Sequence, residues 1–125
     1  MKDINKYNRE WRLKNLEHTR TWYREYAKTE VSKAIKKRYY IKKRMKVLNH
    51  YGVTCSCCGE AEIKFLTLHH MKGGGNEHRK KVGEGMHMYD WIIKNNFPND
   101  FSTLCFNCNC AIGHNGVCPH VERRH

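Results

Sequence analysis

Two Cys-x-x-Cys pairs, Cys55/Cys58 in "TCSCCGE" and Cys105/Cys108 in "LCFNCN", restrict this chain's fold more than anything else in it. Four thiolates in two such pairs match the tetrahedral preference of Zn²⁺ and close a structural site. Gly59 follows the first pair, where a tight thiolate turn benefits from an unhindered backbone. The 46 residues between the pairs exceed the roughly 15–20 of an ordinary zinc ribbon, so a substantial segment is inserted there. A redox dithiol, or cysteines buried as small hydrophobes, would account for one pair. Two pairs together favour the metal.

Cys57, Cys110, His114, Cys118 and His120 remain. Cys110, Cys118 and His120 with either His114 or Cys57 would make a second zinc site. A packed C-terminal loop with incidental Cys and His residues fits their irregular spacing equally well.

A chain of 125 residues buries a limited fraction of its surface and benefits from such a staple. An odd cysteine count without an export signal argues against a disulfide framework. No apolar run approaches the roughly 20 residues of a membrane span, and the N-terminus lacks a secretory core. The expectation is a soluble, cytoplasmic protein with no membrane partner.

Charge divides the chain. Of the formal +12, residues 1–50 carry +11 and residues 51–125 carry +1. Residues 1–51 hold neither Gly nor Pro and read as helix, with a break expected near Thr29–Ser32. Tyr7, Trp11, His18, Trp22 and Tyr26 form a narrow stripe that Val31, Ile35 and Tyr39 continue. "KAIKKRYYIKKRMK" concentrates Lys33, Lys36, Lys37, Arg38, Lys42, Lys43, Arg44 and Lys46. A solvated helix face is the usual fate of such a run, but so one-sided an excess favours a nucleic-acid backbone, whose phosphates release counterions on contact. The thin stripe suits a membrane surface poorly.

Between the knuckles, "IKFLTLHH" reads as a short strand and "GGGNEHRKKVGEG" as a loop. "MHMYDWIIKNNFP" reads as a packing helix with Met88 or Tyr89, Ile92, Ile93 and Phe97 on one face and Pro98 as its stop. "DFSTLC" reads as a second strand delivering Cys105, and "CNCAIG" as the start of a helix that ends at Gly113 or soon after.

From about Tyr51 to His120 the chain resembles phage and bacterial HNH endonucleases of the His-Me finger class. The residues that carry the likeness are "HYGVTCSCCGE", "FLTLHHMKGGGNEHRK", "NNFPNDFSTLCFNCNCAIG" and "GVCPH". The Asn after the last knuckle cysteine is similar to that of the recombination endonuclease VII group. The resemblance implies a small α+β fold with a zinc-framed ββα-metal core at 51–125, and the basic helical, nucleic-acid-binding arm read from the composition precedes it at 1–50. It implies that His70 is the general base activating water against a phosphodiester, and that His69 and Asn109 hold a catalytic divalent ion. His78 or Arg79 would contact phosphate beside the glycines. The family commonly has Asp where His69 stands, so the site lacks a carboxylate ligand; Mg²⁺ is the expected ion, with Mn²⁺ or Ni²⁺ as substitutes. The middle Asn of the family pattern has no assigned counterpart. Because successive side chains of a strand point to opposite faces, His69 and His70 share a site only if the strand ends there; otherwise the pair is a satisfied surface feature.

These readings converge on a metal-dependent endonuclease acting on DNA, double-stranded by expectation, with zinc as structural cofactor. A zinc-knuckle nucleic-acid-binding protein without catalysis is the alternative. A zinc-stabilised protein adaptor is a third, against which the charge asymmetry argues. The sequence gives no support for a dimer.

Overall fold

The computed structural model describes residues 3–123; residues 1–2 and 124–125, the outer ends of the two expected domains, lie outside the described residues. The chain divides into two units between Tyr39 and Tyr40.

The first unit holds helices α1 (Ile4–Lys14) and α2 (Leu16–Lys28) and the start of α3 (Glu30–Tyr51). Asp3 caps α1, its carboxylate accepting from the backbone N–H groups of Asn5 at 3.0 Å and Lys6 at 3.2 Å, two of the donors a helix start leaves unpaired. The expected break falls at Thr29, whose Oγ1 donates to the Tyr26 carbonyl at 2.7 Å and accepts from the Ser32 N–H at 3.2 Å. One residue thus ends α2 and caps α3. A further interruption, at Asn15, was not expected; its side-chain amide donates to the Trp11 carbonyl at 2.8 Å, the local competition that makes Asn a poor interior helix residue. Neither α1 nor α2 has a buried residue. The aromatic stripe is exposed, with Trp22 and Tyr26 stacked at 5.1 Å between ring centroids.

The expected boundary at residues 50/51 moves to 39/40 because α3 carries two consecutive buried residues near its end. Val47 joins a cluster with Met88, Ile92 and Phe101, and Leu48 joins another with Leu66, Leu104 and the cysteines. Neighbours on a helix sit about 100° apart, so one turn serves two cores. The basic run directly before these two residues masked that role.

The second unit continues with a short 3₁₀ turn (Ile63–Phe65), β1 (Leu66–His70), α4 (Gly75–Val82), α5 (Met86–Lys94), β2 (Phe101–Cys105), α6 (Phe106–Asn115) and α7 (Pro119–Glu122). It is a small α+β arrangement. β1 and β2 pair antiparallel, setting Leu66 opposite Cys105 and His70 opposite Phe101. Buried Thr103, in β2, donates its hydroxyl to the Gly52 carbonyl at 2.8 Å, and its own carbonyl accepts from the Ser56 N–H at 3.0 Å. These bonds fasten the first knuckle to the sheet. Among the described residues no helix is long and apolar enough to cross a membrane.

The expected strand over Ile63–His70 is shorter, its first three residues forming the 3₁₀ turn. The expected loop over residues 73–85 is corrected more substantially, because it contains α4. Of the three consecutive glycines, Gly73 and Gly74 take positive φ, 74° and 77°, and turn the chain. From Gly75 onward the polar side chains support a helix, with Asn76 accepting from Arg79 at 2.8 Å and Glu77 from Lys80 at 2.9 Å. α5 ends at Lys94, ahead of Pro98, and Asn96 and Phe97 adopt positive φ beyond it.

Candidate metal centres and active site

The knuckles come together as their spacing requires. The sulfurs of Cys55, Cys58, Cys105 and Cys108 all lie within 4.8 Å of one another, and those of Cys58 and Cys105 are 3.7 Å apart. Two thiolates on one tetrahedral Zn²⁺ stand about 3.8 Å apart for bonds of about 2.3 Å. This group can hold zinc. The Gly59 N–H donates to the Cys55 carbonyl at 2.9 Å with Gly59 at φ 81°, the conformation for which glycine suits the knuckle. Burial pushes the Cys55 thiol up, but backbone donors at Cys58, Cys105 and Cys57 outweigh it and bring the thiol down to about 6, the direction that favours the ligating thiolate. On the second knuckle, Cys105 ends β2 and caps α6, its sulfur accepting from the Cys108 N–H at 3.5 Å.

A second group gathers Cys57, Cys108, Cys118 and His120, again within 4.8 Å. Cys110 and His114 belong to neither group among the described residues. Of the combinations the sequence left open, the structure assembles the one with Cys57 and replaces Cys110 by Cys108. Helix geometry accounts for the exchange, because Cys108 and Cys110 lie about 200° apart around α6.

The two histidines of β1 separate and then reconverge. His69 Nδ1 lies 2.9 Å from Asn109 Oδ1 on α6, while His70 Nε2 lies 3.0 Å from His78 Nδ1 on α4. β1 ends at His70, as a shared site demands. Both rings line one open cleft of about 530 Å³, together with Gly73, Gly75, Arg79 and Asn109. Donors 2.9 Å apart fit adjacent positions on an octahedral divalent ion, where bonds of about 2.1 Å set ligands roughly 3.0 Å apart. Neither donor is a carboxylate. The nearest acidic residue lining the cleft, Glu77, has its carboxylate on Lys80.

His70 packs against Phe101, with ring centroids 4.7 Å apart. Burial holds its imidazole below the usual histidine range, and the charges of His78, Arg79 and His69 add to the depression, so the neutral ring is favoured near physiological pH. A Cβ on Gly75 would stand 2.9 Å from His70 Nδ1, so a residue without a side chain keeps that side of the ring open.

Of His78 and Arg79, the two residues expected to offer the phosphate contact, only Arg79 lines this cleft. His78 Nδ1 meets His70, its buried Nε2 has no hydrogen-bond partner, and its ring stands edge-on to Trp91 at 4.3 Å. It sits behind His70, leaving Arg79 in the cleft. No sequence signal marked that contact, because it depends on α4, which the glycines concealed.

The basic cluster is divided in its use. In the first unit Lys33, Lys36, Lys37 and Arg38 are exposed, Lys33 pairing with Glu30 at 2.8 Å. In the second, Lys42 and Lys46 are exposed. Lys43 instead pairs with Asp90, and Arg44 donates to the carbonyls of Ile63, at 2.8 Å, and Leu66. These two cations hold α3 to the rest of its unit.

No family model, no curated protein and no solved structure matches the chain.

Proposed function

We propose that the protein is a metal-dependent DNA endonuclease of the HNH type: His70 is the general base, and His69 and Asn109 hold the catalytic ion. The observation that carries this reading is the convergence of two ligand side chains, His69 from β1 and Asn109 from α6, on one cleft with His70, whose neutral form burial favours. A divalent ion held there would offset phosphate charge and stabilise the departing sugar oxygen.

The chain's own part concerns one proton. If His70 Nε2–H donates to His78 Nδ1, the lone pair of His70 stands at Nδ1 and accepts the proton of the attacking water. His78 then carries its proton at Nε2, beside the Trp91 ring. It is a positioning residue that fixes the tautomer of the base. Arg79 at the cleft wall supplies positive charge for the phosphate, and the exposed lysines of α3 supply affinity without base readout.

A plasmid-nicking assay with Mg²⁺, Mn²⁺ or Ni²⁺ tests the reading. His70→Ala is expected to lower the rate by about 10²–10⁴-fold while DNA binding and thermal melting stay as they were; equal cutting by parent and variant refutes the assignment. The lack of a carboxylate in the His69/Asn109 pair favours one second reading, a nucleic-acid-binding protein without catalysis, for which salt-sensitive binding with no metal-stimulated nicking is the expected result.

A further inference from the structure

The two cysteine groups share a member. Cys55, Cys58 and Cys105 meet Cys108 in one, and Cys57, Cys118 and His120 meet it in the other. Two tetrahedra joined at a single vertex need seven donors, and these residues number seven. Each donor enters once, and only Cys108 enters twice.

We propose that the protein binds two zinc ions in one cluster, with the Cys108 thiolate bridging them. The first ion is held by Cys55, Cys58 and Cys105, and the second by Cys57, Cys118 and His120.

The geometry of the second half matches that of the first. His120 Nδ1 lies 3.4 Å from the sulfurs of both Cys108 and Cys118. Sulfur and nitrogen ligands on one zinc stand roughly 3.5 Å apart for bonds of about 2.3 and 2.1 Å. Cys108 is fully buried, at 0% exposure, and Cys118 at 2%. Cys108 also stands in the first turn of α6. Charge favours filling the second position. One zinc with four thiolates carries −2, and a further Zn²⁺ with the thiolates of Cys57 and Cys118 and a neutral imidazole adds nothing to that. A single ion would leave two more sulfurs and an imidazole crowded against Cys108 with no charge to hold them.

The second ion also has a structural consequence. α7 has four residues and none of them is buried, so it has little packing of its own to keep it in place. Cys118 precedes it and His120 lies within it. The second zinc ties the end of the chain to the first knuckle. Whether or not the cleft cuts DNA does not bear on this clasp.

Elemental analysis of the full chain purified without chelator should report two zinc per chain; one per chain overturns the proposal. Exchange with ¹¹³Cd should give two thiolate-shifted resonances split by coupling to each other through the bridging sulfur. Two uncoupled resonances would refute the bridge, and an ion in the His69/Asn109 cleft is recognisable because it couples to neither. Cys118→Ser should reduce the content from two metals to one and collapse the splitting to a single line, while Cys110→Ser should leave two coupled lines. Two metals retained in Cys118→Ser, or one lost in Cys110→Ser, would each exclude the assigned ligand set.

Discussion

The two units of this chain are held by different kinds of force. α1 and α2 bury no side chain and keep their form through local terms: the Asp3 cap and exposed i,i+3 pairs such as Glu17–Arg20 and Glu25–Lys28. Such solvent-exposed pairs contribute little, and isolated helices of fewer than roughly 12–15 residues are marginal. Beyond Tyr40, two apolar clusters and the thiol groups depend on partners far away in sequence. Stability that comes from neighbours along the chain is graded, whereas stability that comes from distant partners is cooperative.

Metal removal should separate the two most strongly. Cys55→Ser, or chelation of the parent, is expected to abolish the cooperative melt of the second unit, because ligation of a structural zinc is itself folding free energy. The graded helical signal of the first unit should persist in far-UV circular dichroism. An unchanged cooperative transition would show that the apolar clusters suffice without metal.

Side-chain truncation gives the next largest contrast. Ile92→Ala removes a residue with 0% exposure and should cost about 2–5 kcal/mol in denaturant unfolding. Trp22→Ala removes a larger side chain that is 53% exposed and should stay within about 0.5 kcal/mol. Comparable losses would mean that the exposed stripe is covered in solution.

Gly75→Ala distinguishes position from stability inside the second unit. The added methyl would lie 2.9 Å from His70 Nδ1, so the ring must move. Alanine suits a helical backbone better than glycine, and the melting temperature should hold or rise slightly. If His70 is the base, nicking should fall on the order of 10²-fold, the cost of displacing a reacting group by about 1 Å. Full activity would free His70 of that role.

Legibility followed the same division. The cysteine knuckles, the two strands and the break at Thr29 were readable because each rests on a short local pattern: paired cysteines, an apolar run, a capping hydroxyl. α4 was not, since three glycines outweighed the seven helical residues behind them and only two of those glycines make the turn. The contact of His78 with His70 vanished with it. Nor was the double duty of α3 visible, because Val47 and Leu48 directly follow a basic run and only their packing partners reveal them. At the candidate site, His69, His70 and Asn109 were found through resemblance, while the pairing of Cys57 with Cys108 needed the third dimension.

The smallest expected effect concerns the cations, and it asks which of them answer to DNA. Lys36 is exposed in the first unit, and Lys43 pairs with Asp90 in the second. If the arm contacts phosphates, Lys36→Ala should weaken binding uniformly across sequences and reduce the slope of log K against log salt by about 1. The protein's melting should not change. Lys43→Ala should do the reverse, lowering stability because it leaves Asp90 without its partner while the salt slope barely moves. Equal slopes for parent and Lys36→Ala would return that lysine to the status of a solvated surface residue, and the same comparison carried along Lys33, Lys37, Arg38, Lys42 and Lys46 would then delimit how much of α3 meets a nucleic acid.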